Sequence, residues 1–348
     1  MSLETTITRA WLRRGPLACA LYPVSLLFRA LTALRRLLYR AGVLRAAGLP
    51  VPVVVVGNIF IGGTGKTPLT IWLVQQLQAA GLTPGVVSRG HGAKSGGKGS
   101  APRPVTALST PAEVGDEPVL IATRAGCPVV VGRDRVEAGR ALLAAHPQVD
   151  VIVTDDGLQH YALRRDVEIV LFDGRGTGNG WTLPAGPLRE PPSRRRDVTV
   201  VNTPQLTARL AGRTANGGPV FQMTLQGDVA ERLANRHERV SLAALAARPG
   251  KFVAAAGIGN PARFFGMLAA AGLRCTELAL PDHHDFLDNP FGALDADVIL
   301  MTEKDAVKCA QIEELRNDPR LWVVPVAARI DGALAEHIVE KCRGRTFA

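Results

Sequence analysis

Four consecutive valines, Val53 to Val56, lead into Gly62-Gly63-Thr64-Gly65-Lys66-Thr67. A short run of branched apolar residues reads as a buried strand, and a glycine-rich turn ending in Gly-Lys-Thr reads as a loop built for phosphates. Glycines let the backbone fold back and aim its N–H groups inward, and the next helix adds its positive N-terminal end. Lys66 would reach the β and γ phosphates, and the Thr67 hydroxyl would bind Mg²⁺. Leu69, Trp72, Leu73 and Leu77 then recur at helical spacing until Gly81 stops the run. Strand, loop and helix together predict a nucleoside triphosphate site. One position departs from the common pattern: Phe60 stands where its first glycine belongs.

The chain has 348 residues, 47% of them hydrophobic, more than one compact core usually holds, which predicts two domains. Its five cysteines show no C-x-x-C pairing, so neither a disulfide framework nor a zinc site is indicated and a reducing cytoplasm fits best. The net charge of +10 is unevenly spread: residues 1–48 hold eight arginines against the single acid Glu4. A nucleic-acid binder would carry its charge over the folded body, so that partner is not expected, and no obligate protein partner is inferred.

Within 1–48, the longest uncharged run, Gly15 to Phe28, is 14 residues, short of the roughly 20 that cross a bilayer as a helix. Leu26, Leu27, Ala30, Leu31, Leu34, Leu37 and Leu38 follow helical spacing with arginines among them. That pattern suits a basic amphipathic helix lying in an anionic membrane interface, without spanning it. A signal peptide cleaved near Ala18-Cys19-Ala20 conflicts with an ATP site further on. A helix packed on its own domain stays open.

Further apolar runs at Val129–Val131, Val151–Val153, Ile169–Phe172 and Val198–Val201 alternate with helical segments, predicting a P-loop NTPase-like α/β domain over 49–203 with a parallel sheet. Arg89-Gly90-His91-Gly92 opens a Gly/Lys/Ser-rich stretch read as a surface loop. A linker is expected over 204–225 and a smaller α/β domain over 226–348.

Asp155-Asp156-Gly157-Leu158-Gln159-His160 follows the strand Val151–Val153. Carboxylates at a core strand's end hold Mg²⁺ beside a phosphate loop, although Asp-Asp-Gly alone is also an ordinary turn. A hydroxyl acceptor needs a base, for which Asp116-Glu117 offers carboxylates and His283-His284 imidazoles. A turn or helix cap explains either pair equally well. In Gly257-Ile258-Gly259-Asn260-Pro261 the asparagine can cap a helix whose N-terminus faces an anion, and Thr302-Glu303-Lys304-Asp305 sits at another strand end.

The ordered set of Gly57-Asn58-Ile59, the Gly62–Thr67 loop, Ser88-Arg89-Gly90, Gly115-Asp116-Glu117-Pro118, Asp155–His160, Leu183-Pro184-Ala185-Gly186-Pro187-Leu188-Arg189-Glu190, Gly257–Pro261, Asp282-His283 and Thr302–Ala306 resembles the tetraacyldisaccharide 4′-kinases of lipid A synthesis. The family's phosphate loop shares the missing glycine at Phe60. The resemblance implies an ATP- and Mg²⁺-dependent kinase that converts a tetraacyldisaccharide 1-phosphate to lipid IVA at the cytoplasmic face of the inner membrane. It implies Asp116 as base with His283 as partner, and Asp155 and Asp156 at Mg²⁺. Glu117, Arg189 and Glu190 would lie near metal and phosphates, with Arg89 and Asn260 also on phosphate or substrate. His91 stands where the family often has tyrosine.

The chief alternative is a membrane-associated ATPase switch, whose loop would carry a lysine at the position of Ile61. A Rossmann-type reductase built on Gly257 and Gly259 lacks an adequate fingerprint.

Overall fold

A strand whose six residues are all buried leaves no face for water, so β1 (Val53–Asn58) demands helices on both sides. The computed structural model describes residues 10–90 and 100–344, and supplies them. After β1 come β2 (Pro84–Ser88), β3 (Arg103–Pro104), β4 (Val129–Val131), β5 (Val151–Asp155), β6 (Val167–Asp173), β7 (Val198–Asn202) and β8 (Val220–Gln226). A second group follows: β9 (Val229–Arg232), β10 (Arg239–Ser241), β11 (Phe252–Ala256), β12 (Cys275–Ala279), β13 (Val298–Thr302) and β14 (Leu321–Val324), before β15 (Ala327–Ile330).

The larger sheet runs β15-β8-β7-β6-β1-β5-β2-β4-β3. It is parallel except at its edges, where β15 and β3 are antiparallel. Leu69, Leu73 and Leu77 of helix Lys66–Ala79 cover one face, and Val136 and Leu142 of helix Arg135–Ala145 cover the other. β1 lies between β5 and β6, so the crevice at its C-terminal end is where such sheets bind ligands. The smaller sheet runs β10-β9-β14-β13-β11-β12, with β11 to β14 parallel.

Two expected boundaries are corrected. Residues 204–225 are not a free linker: they contain helix Ala208–Thr214, capped by the Thr207 hydroxyl, and β8, paired to β7 in the larger sheet. Nor does the second domain run to the end, because β15 pairs with β8 and helix Ala333–Arg343 buries Leu334 and Ile338 in the first core. β8 alternates Gln222, Thr224 and Gln226 with apolar residues near a sheet edge, so its composition reads as polar. The chain therefore crosses between domains twice, and the crossings touch: a Cβ on Gly227 would come 2.8 Å from the Pro325 carbonyl.

The N-terminal helix Pro16–Arg40 is both packed and open. Ser25 is buried; its hydroxyl donates to the Thr182 carbonyl at 2.8 Å and accepts from the Ala185 N–H at 2.9 Å. Trp11 donates to the Pro184 carbonyl, and Tyr22 packs on Trp181. Leu27, Leu31, Leu34 and Leu37 remain more than half exposed. The helix, at 25 residues, is long and apolar enough to cross a membrane by length and composition, which its 14-residue uncharged run had not suggested.

Ile338 lies in the segment that the sequence assigned to the second domain, yet fills the first core. Ile338→Ala is expected to cost about 2–5 kcal/mol, seen as a lower urea midpoint by Trp72 fluorescence from the same core. An unchanged Trp72 transition would contradict the return of the chain.

Candidate active site

The phosphate loop is built around Asn58 at the end of β1. This fully buried side chain donates to the carbonyls of Phe60 and Gly62 at 2.6 and 3.1 Å and to the Thr64 hydroxyl at 3.0 Å. Its oxygen accepts from Lys66 Nζ at 3.3 Å. Gly65 caps helix Lys66–Ala79 at φ +100°, a conformation that favours glycine. Phe60, at the position of the missing glycine, is core: it is 2% exposed, with the Arg175 guanidinium 4.2 Å from its ring centre.

Beside the loop opens a cleft of about 1390 Å³, lined by both domains and by Gly62 to Thr67. Asp155, at the end of β5, is buried; the Thr70 hydroxyl approaches its Oδ1 at 3.5 Å, and its Oδ2 has no hydrogen-bond partner among the described residues. Burial, with Glu117 nearby, pushes its carboxyl up to about 7. Asp156 turns away at φ +52° and meets Arg189 Nη1 at 3.1 Å and Lys66 Nζ at 3.9 Å. Burial opposes its ionisation, but Lys66, Arg189 and Arg135 outweigh that and hold it below the usual carboxylate range.

The second domain brings His283 to Asp116, with Nδ1 3.2 Å from Oδ2. Asp116 starts helix Asp116–Ala125 and is 3% exposed. Burial works against its charge, while the His283 hydrogen bond and the nearby Lys304 and Lys308 lower its pKa overall. His283 is raised in turn, mainly by that hydrogen bond. Of the two adjacent imidazoles, His284 is spent locally: its Nδ1 accepts from the Phe286 N–H at 3.0 Å. Lys304 spans the same junction, 3.2 Å from Glu117 and 3.4 Å from Asp282.

Arg89, Glu117, Asp155, Asp156, Arg189 and Asn260 line the cleft with the phosphate loop. Asn260 makes no side-chain cap. Glu190 is not brought there: it accepts from Gln159 at 3.0 Å and Tyr161 at 2.7 Å, and pairs with Arg194 and Arg36. With its oxygens so engaged beneath the N-terminal helix, it is withdrawn from the metal set. His91 lies outside the described residues, as does the Gly/Lys/Ser-rich stretch that follows it to residue 99. Sequence reasoning passed over Asn202 and Arg263, both within reach of the loop, because each is a single polar residue without a motif.

Mg²⁺ fits these residues. Among the described residues no three His, Cys, Asp or Glu side chains form a metal cage, and Mg²⁺ commonly takes only one or two carboxylates, completing its shell with water and substrate phosphates. The unpartnered Asp155 Oδ2 is such a carboxylate oxygen.

The family model of LpxK, tetraacyldisaccharide-1-P 4′-kinase, matches residues 17–343. The chain belongs to the tetraacyldisaccharide 4′-kinase family. It is 61% identical to the tetraacyldisaccharide 4′-kinase of Janthinobacterium sp. (strain Marseille) over 100% of this chain and 98% of that protein. It is 58% identical to that of Herminiimonas arsenicoxydans, over the same shares. A crystal structure of LpxK from Aquifex aeolicus in complex with ATP superposes with a TM-score of 0.75 at 29% identity, covering 93% of this chain and 99% of that one. The protein is thus a kinase, on an α/β fold of the P-loop type with an N-terminal apolar helix.

His160 closes the Asp-Asp-Gly-Leu-Gln-His segment that begins at the end of β5, and its Nε2 accepts from the Arg135 N–H at 3.3 Å. Burial, then Arg135, lowers its pKa from 6.5 to about 4. A histidine kept neutral in the fold contributes stability that is complete above 6.5 and is lost as pH falls toward 4. His160→Asn, which keeps an acceptor but does not titrate, is expected to shrink the drop in urea midpoint between these pH values; an undiminished drop would exclude His160 as its source.

Proposed function

We propose that the chain transfers the γ-phosphate of ATP to the 4′-hydroxyl of a tetraacyldisaccharide 1-phosphate at the cytoplasmic surface of the inner membrane, yielding lipid IVA. The observation that carries this reading is the hydrogen bond from His283 to Asp116, made across the two domains beside the phosphate loop.

The backbone N–H groups of Gly62 to Thr67 cradle the phosphates, and Lys66 neutralises charge between them. Mg²⁺, held by Thr67 and Asp155 with Glu117 and Asp156 in support, would offset the charge on the transferred group. Arg189 holds Asp156, and Arg89 and Asn260 face phosphate or substrate from the cleft wall. Asp116, ionised and oriented by His283, accepts the proton of the 4′-hydroxyl as it attacks. With both domains around the cleft, water is kept from competing with the sugar.

The exposed leucines of helix Pro16–Arg40 and its arginines support a place for that helix in an anionic membrane surface, beside the lipid substrate. The relatives' names support the acceptor, and the ATP bound to the Aquifex protein supports the donor.

Asp116→Asn is expected to lower turnover by roughly 10²–10⁴-fold while ATP binding is kept; near-normal turnover would remove Asp116 as base. Full-length protein given labelled ATP and detergent-dispersed tetraacyldisaccharide 1-phosphate is expected to put label on the lipid. Label released only as inorganic phosphate would defeat the kinase reading and favour a switch ATPase.

A further inference from the structure

The second domain touches the phosphate loop directly, at two points outside the Asp116–His283 pair. A Cβ on Gly259 would lie 2.8 Å from the backbone nitrogen of Gly63, so the two loops pass backbone to backbone. One helical turn on, in helix Pro261–Ala270, Arg263 sends Nη1 to the Thr64 carbonyl at 3.3 Å, while its Nη2 lies 3.4 Å from Asp173 Oδ2 at the end of β6. Asp173 is itself gripped by Arg175, so this anchor is fixed. The same Thr64 carbonyl accepts from Asn202 Nδ2 at 2.9 Å, at the end of β7.

This carbonyl matters for the peptide it belongs to. In a trans peptide the C=O of one residue and the N–H of the next point in opposite directions. Two donors holding the Thr64 oxygen from outside the loop therefore turn the Gly65 N–H inward, toward the phosphates. One donor comes from each domain. A guanidinium suits the second role, because its planar fork presents one nitrogen to the carbonyl and another to the Asp173 carboxylate.

We propose that Arg263 is a positioning residue that braces the phosphate loop from the second domain, so that tight nucleotide binding requires the two domains to be together. The proposal rests on the reading of Gly62 to Thr67 as the phosphate loop. It makes closure serve binding as well as chemistry: the movement that brings His283 to Asp116 also completes the loop.

The test is calorimetric titration of full-length protein in detergent with ATP and Mg²⁺, together with steady-state kinetics, for wild type, Arg263→Ala, Arg263→Lys and Lys66→Ala. Losing the charged donor altogether in Arg263→Ala, or the two-nitrogen fork in Arg263→Lys, should weaken ATP binding about tenfold or more. The rise in the KM for ATP should exceed any fall in kcat, with the KM for the lipid unmoved. If Arg263→Ala fails to fold, Arg263→Lys carries the test alone. Wild-type affinity in Arg263→Lys would mean that charge suffices and overturn the brace, as would a collapse of kcat at unchanged affinity. Lys66→Ala binding ATP as well as wild type would overturn the loop reading beneath it. Weakened Lys66→Ala beside unchanged Arg263 variants would overturn the brace alone.

Discussion

Everything in the site depends on where β1 has to lie. Its residues, Val53 to Asn58, are buried on both faces, and a strand with no water-tolerant side belongs in the interior of a parallel sheet covered by helices. That placement brings the end of β1 next to the end of β5, so the loop and Asp155-Asp156 emerge together. Asn58 then converts the strand end into a loop template by hydrogen-bonding three of its members, Gly62, Thr64 and Lys66. The phosphate site is thus a consequence of core packing as much as of glycine content.

Three carboxylates near this point are pushed in different directions by their surroundings. Asp155, buried and close to Glu117, resists ionisation; Asp156 and Asp116, buried but faced by Lys66 and Arg189 or by His283, Lys304 and Lys308, favour it. The difference follows from which cations each can reach, since burial alone raises all three. Two of the cations at Asp116 are carried by helix Glu303–Cys309 of the second domain, so the charge of this residue depends on how the domains meet.

Much of the site was legible in the sequence because its parts are local. The Gly62–Thr67 loop, the Asp155-Asp156 pair and the segments holding Asp116 and His283 are contiguous stretches whose chemistry follows from neighbouring residues. Glu190 was misread because adjacency to Arg189 says nothing of direction: one side chain points to Asp156 and the other into a pocket of Tyr161, Gln159 and Arg194. Arg263 and Asn202 were missed because their meaning lies in a shared partner, Thr64, that is remote from both in the chain.

The amino-acid sequence by itself determined the α/β class, the buried strand, the phosphate loop after it and the family, since these rest on residue types at short fixed spacings. Only the tertiary structure decided that 204–225 joins the larger sheet, that the chain returns to it through β15, and that His283 rather than His284 meets Asp116. Each of those depends on pairing or contact between distant segments, set by complementary surfaces and backbone direction, which no local pattern records.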